Sequence, residues 1–119
     1  MDFAKIVELA LKYGGLTLTG DGNVASVPSG YMVADDINNR NYASLLDLTE
    51  ADLEGCLAKA RGQEGAYVGL YKRADNGTWD MDISHSIMDL GEALAKASGW
   101  NQESIYDCAN GTVIFCEAK

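Results

Sequence analysis

Two short segments restrict this chain's fold more than anything else in it. Trp79-Asp80-Met81-Asp82-Ile83-Ser84 alternates residue by residue, and it lies opposite Tyr67-Val68-Gly69-Leu70-Tyr71 across Ala74-Asp75-Asn76-Gly77, a run of turn-forming residues. Successive side chains of a strand point to opposite faces, so the pair reads as an antiparallel hairpin with one buried side. A four-residue loop sets Arg73 against Thr78, Leu70 against Met81 and Val68 against Ile83. A two-residue Asn-Gly loop moves the pairs by two and leaves the faces unchanged. One face is apolar; the other carries Tyr67, Tyr71, Asp80 and Asp82, which the parity turns toward water.

Three helices accompany the hairpin. Asp2 caps a segment with Phe3, Ile6, Val7, Ala10 and Tyr13 along one side, stopped by Gly14 and Gly15. Thr49 with Asp52 three residues on, a Leu48–Leu53 staple and a Leu53, Cys56, Leu57, Ala60 stripe predict a helix over 50–61. Asp89 and Glu92 open a third, with Leu90, Ala93, Leu94 and Ala97 inward and Gly99 as its stop. The stripes are narrow, as in helices that lay one face on a sheet. Strands are also expected at Tyr31–Ala34, Ser104–Cys108 and Thr112–Cys116, with weaker ones at Leu16–Thr19 and Asn23–Val27. In the last hairpin both faces are apolar, which predicts cover on both sides for at least part of it. An Asn110-Gly111 turn pairs Cys108 with Val113 there, and the run from Asp35 to Ser44 reads as a solvated loop.

From residue 30 the order is strand, helix, strand, strand, helix, strand, a ferredoxin-like βαββαβ pattern with an extra C-terminal strand and an N-terminal helix. The expected class is α+β: a single domain over 1–119, two layers, a mostly antiparallel sheet and two helices on one face.

Eighteen acidic residues face nine basic ones, a formal charge of −9, and the bases are scattered. Direct nucleic-acid binding through phosphates needs clustered Lys and Arg and is not expected. Such a surface suits a basic partner instead, including a protein whose own task is to grip DNA or RNA. Three cysteines without framework spacing suggest free thiols rather than a disulfide scaffold. The first thirteen residues lack the basic start and unbroken apolar middle of a signal peptide, and no run has the length to span a bilayer, so the expected location is cytoplasmic with no membrane partner.

Catalytic signals are few. Asp80 and Asp82 lie roughly 7 Å apart on one strand face, within reach of a shared divalent ion given a third ligand. His85 is of the opposite parity and joins them only if the strand bends. A calcium loop from Asp75 fails because Gly77 and Trp79 stand where oxygen ligands are needed. The Gly14–Gly22 stretch lacks the Lys-Ser/Thr ending of a phosphate loop, and nothing in the sequence brings His85 to a cysteine. No cofactor and no metal is expected.

Ser29-Gly30-Tyr31-Met32-Val33, Tyr67-Val68-Gly69-Leu70-Tyr71 with Trp79 and Asp82-Ile83-Ser84, and Asn101-Gln102 with Ser104-Ile105-Tyr106-Asp107 and Asn110-Gly111 resemble a pattern in small uncharacterised proteins of bacteriophages and mobile elements. The resemblance covers roughly residues 29 to 114. It implies a mobile-element accessory protein, and among these, small acidic chains of the anti-CRISPR kind block a host nuclease by occupying its nucleic-acid channel. The function expected is a non-enzymatic binding module acting through Tyr67, Tyr71, Asp80, Asp82, Asp35 and Asp36 on a basic protein. Two alternatives stand beside it: a small metal-binding protein or enzyme centred on Asp80, Asp82 and His85, and a homodimer that hides the tyrosine face.

Overall fold

The computed structural model describes residues 2–35, 38–73 and 75–116. They form an α+β fold of three α-helices against one seven-stranded antiparallel sheet. The elements in chain order are α1 (Phe3–Tyr13), β1 (Gly15–Thr19), β2 (Tyr31–Ala34), β3 (Arg40–Tyr42), a 3-10 turn at Leu45–Asp47, α2 (Glu50–Arg61), β4 (Ala66–Lys72), β5 (Trp79–Ile87), α3 (Leu90–Gly99), β6 (Ser104–Asp107) and β7 (Thr112–Phe115).

Local chemistry sets the helix ends. Asp2, Thr49 and Asp89 each accept a hydrogen bond from the backbone N–H three residues on, which satisfies a donor the first turn leaves free. α1 stops at Gly14, which takes the left-handed conformation at φ +74° and donates to Ala10 O at 2.8 Å. α3 departs from expectation: Gly99 stays helical, and the chain leaves through Asn101 at φ +56°, a conformation that asparagine tolerates better than most residues.

The sheet order is β1-β4-β5-β2-β6-β7, with β3 pairing only with β5. The β4–β5 register is the expected one, Leu70 opposite Met81 and Val68 opposite Ile83, with Arg73 N–H donating to Thr78 O at 2.7 Å. β5 is long. Its second half pairs with β2, which ends at Ala34 opposite Ser84, and this leaves the edge of Trp79–Met81 open. β3 fills that edge, with Arg40 opposite Met81 and Tyr42 opposite Trp79. Within the expected solvated loop from Asp35 to Ser44, of which residues 36 and 37 lie outside the described residues, Arg40–Tyr42 is therefore a short strand, though a largely exposed one, since the buried β5 must find partners for its backbone groups. The proposed Asn23–Val27 strand contracts to a single bridge between Leu18 and Val24.

All three helices lie on one side of the sheet. Ile6 and Ala10 of α1 and Leu53, Cys56, Leu57 and Ala60 of α2 join Leu18, Val68, Leu70, Met81 and Ile83 in one core. Ala93 and Ala97 of α3 pack on Val33 and Ile105 in a second. Val33 pairs with His85, which shares its face with Met81 and Ile83, so both cores occupy the same face. The N-terminal helix therefore adds to this layer and leaves the tyrosine-bearing face to the other side.

The last hairpin is shifted from its expected register. Tyr106, rather than Cys108, stands opposite Val113. Asp107 causes this, because its carboxylate accepts from the backbone of Ala109 and Asn110 and from Asn110 Nδ2 and so stabilises a longer turn that closes at Gly111. The shift is by two and preserves the faces. Cover on both sides is not found: Ile105 is buried and Ile114 packs against the α3 core, but Val113 and Phe115 are exposed. The cysteines are free, with Cys56 buried and Cys108 and Cys116 half-buried.

Candidate functional site

Strand alternation places Tyr67 and Tyr71 of β4, Asp80 and Asp82 of β5, Tyr106 of β6, and Val113 and Phe115 of β7 on the face away from the helices. Within that face the surroundings differ sharply. Phe115 is 74% exposed, Val113 53%, Tyr106 45% and Tyr71 42%, whereas Asp82 is only 2% exposed. The expectation that the parity turns Asp82 toward water is corrected here. Parity fixes the face of a side chain and says nothing of its depth.

Asp82 lies opposite Gly69, and the missing side chain there provides its room: a Cβ built on Gly69 would come within 2.8 Å of Asp82 Oδ1. Ser84 Oγ donates to the same oxygen at 2.6 Å, and the Tyr71 hydroxyl hydrogen-bonds the carboxylate. Burial pushes the Asp82 carboxyl up to about 6 against the pull of those two bonds, with the charges of Asp80 and Asp35 adding to the rise. Tyr71 is raised in turn, by burial first and by Asp82 second.

Asp80 is more open but already engaged. Arg73 Nη1 reaches its Oδ2 at 3.1 Å and Asn41 Nδ2 donates to its Oδ1 at 2.7 Å. The Arg73 guanidinium also grips Asp75 with two parallel bonds of 3.0 Å. One guanidinium thus serves two carboxylates. These groups border a groove of about 600 Å3 that opens between the start of β3 and the residues leading into β6, with Tyr71, Arg73 and Asp80 on one bank and Ser104, Val113 and Phe115 on the other. Asn41 and Arg73 belong to this site and have no motif that marks them in the sequence; the pairing of β3 with β5 brings in Asn41, and the β4–β5 hairpin places Arg73 beside Asp80.

The remaining expected site residues lie elsewhere. Asp35 is 2% exposed on the helix side, where Asn38 N–H donates to its Oδ1 at 3.2 Å and His85 Nε2 lies 3.5 Å from its Oδ2. Asp36 lies outside the described residues. His85 stacks obliquely on Trp100, with ring centroids 5.1 Å apart, on the opposite face from Asp80 and Asp82. The three do not converge, and among the described residues no group of three His, Cys, Asp or Glu side chains is placed to hold a metal ion. Asp82 is sealed beneath its neighbours rather than presented to the groove, a placement unsuited to proton transfer with a substrate.

Among the described residues no helix is long and apolar enough to cross a membrane. No protein-family model, curated protein or solved structure matches this chain.

Proposed function

We propose that this chain is a non-enzymatic binding module whose exposed strip Tyr71, Tyr106, Val113 and Phe115 docks on a basic protein. The observation that carries the reading is the contrast within one sheet face. The polar groups of β4 and β5 satisfy one another, while apolar and aromatic side chains on β6 and β7 face solvent. Tyrosine and phenylalanine bury large areas at little entropic cost and are enriched at interface centres, where charged residues are depleted. The charge of −9 selects the partner: it speeds encounter with a basic surface, whereas a second copy brings the same charge to the contact. The phage or mobile-element character suggested by the sequence belongs to this proposal. Its sharpest form is an anti-CRISPR-like inhibitor that occupies the nucleic-acid channel of a host nuclease in the cytoplasm.

Affinity capture from a host lysate at low salt, with Phe115→Ser, Tyr106→Ala and Leu11→Ser run beside the wild type, tests it. Leu11 is exposed on α1, in the opposite layer. A basic protein lost with the first two variants, retained with Leu11→Ser and released by salt supports the reading. Equal capture by all three sinks it, as does a dimer of the chain alone that dissociates in Phe115→Ser during sedimentation.

A further inference from the structure

A second cavity, of about 470 Å3, lies on the helix side of β3, between that strand and α2. Arg40 stands opposite Met81, whose side chain enters the core, so alternation directs Arg40 toward the helix layer. Asp52, Cys56 and Lys59 follow one another at i, i+4 and i+7 and share a face of α2. Between them Gly55 leaves the wall open, and a Cβ built there meets nothing within 4 Å. In a chain with twice as many acids as bases, this cavity is bordered by two cations. Among the described residues neither Arg40 nor Lys59 has a carboxylate within ion-pair distance. Among the described residues the one acid on the wall is Asp52, and it already accepts from the Tyr42 hydroxyl at 3.1 Å. Asn38 on the rim is loosely held, its Nδ2 lying 3.4 and 3.5 Å from the two Asp35 oxygens. The buried Cys56 thiol adds no charge at neutral pH, because burial pushes it up to about 11.

We propose that this cavity binds a small anion, its phosphate or carboxylate held between the Arg40 guanidinium and the Lys59 ammonium. The guanidinium fork matches two oxygens of such a group, and the ammonium supplies a second, movable charge. The site opens on the helix side of β3, and Asn39 and Arg40 border both it and the groove beside the docking strip.

NMR titration of the 15N-labelled chain with glucose 6-phosphate, inorganic phosphate and malate tests the proposal in the wild type, Arg40→Gln, Lys59→Gln and Gly55→Leu. The expected result is saturable shifts confined to amides of 38–41 and 51–59, with affinity reduced about tenfold in each charge variant. Gly55→Leu fills the cavity from a wall position with free space and should abolish binding while leaving the remaining spectrum in place. Tighter binding of malate identifies a carboxylate ligand. Shifts that fail to saturate by about 10 mM, scatter over the surface, or persist unchanged in the charge variants overturn the site.

Discussion

The two hairpins of this sheet are built on the same alternation and solve opposite problems. In β4–β5 the apolar side enters the core and the polar side is closed by its own members: Arg73 and Asn41 engage Asp80, and Ser84 and Tyr71 engage Asp82. In β6–β7 only Ile105 and Ile114 meet a helix, while Tyr106, Val113 and Phe115 face water with nothing comparable to engage them. The comparison reverses the intuition that charge marks function. Here the carboxylates on the outward face are internally spoken for, and the unsatisfied surface is apolar.

The difference can be broken or sharpened experimentally. The largest effect belongs to the buried side of the first hairpin: Leu70→Ala should cost about 2–5 kcal/mol in denaturant unfolding, because Leu70 is fully buried and its neighbours cannot collapse into the space. A smaller loss would mean that the β4–β5 side is as loosely packed as the β6–β7 side.

Asp82→Asn comes next, and its sign is opposite. The carboxyl titrates near 6 in the folded chain against an ordinary 3.8, so the protonated form is favoured by folding. That contribution is complete below the ordinary value and is lost as pH rises through about 6. An asparagine cannot ionise, so the variant should be more stable at about pH 8 by up to roughly 3 kcal/mol, from two pK units at 1.36 kcal/mol each. The gain should close by about pH 4. Thermal melts across that range check it, and a variant that is less stable at high pH would show that the ionised carboxylate stabilises the fold.

Gly69→Ala follows, with an expected loss of about 1–3 kcal/mol because the new methyl group invades the space of Asp82 Oδ1. In an Asp82→Ala background the loss should largely vanish, and simple additivity in that double-mutant cycle would remove the notch as the reason for glycine. The smallest effect is at the other hairpin: Phe115→Ser should change stability by less than about 0.5 kcal/mol, since the ring is mostly exposed. A larger loss would mean that Phe115 supports the fold rather than serving a partner.

What the sequence made legible follows from how local each signal is. The caps at Asp2, Thr49 and Asp89 are settled within four residues, and the Leu70–Met81 register follows from alternation plus one turn. The features that needed the structure are long-range. Arg40-Asn41-Tyr42 has no periodicity, and it becomes a strand because β5 outruns β2. Nothing near Asp35 announces that His85 and Gln102, the latter donating to its carbonyl at 3.1 Å, will enclose it. The groove was hidden for the same reason, since the nearest members of its two banks, Asp80 and Ser104, are 24 residues apart in the chain.

The carboxyl beneath Tyr71 has a practical consequence for handling the protein. Mild acidification firms the fold by protonating it, yet the same step draws a strongly negative chain toward its isoelectric point, where colloidal repulsion fades. Durability and solubility therefore pull a buffer in opposite directions. Concentrated samples are best kept slightly above the carboxyl's midpoint, with ionic strength rather than further acid used to adjust their behaviour.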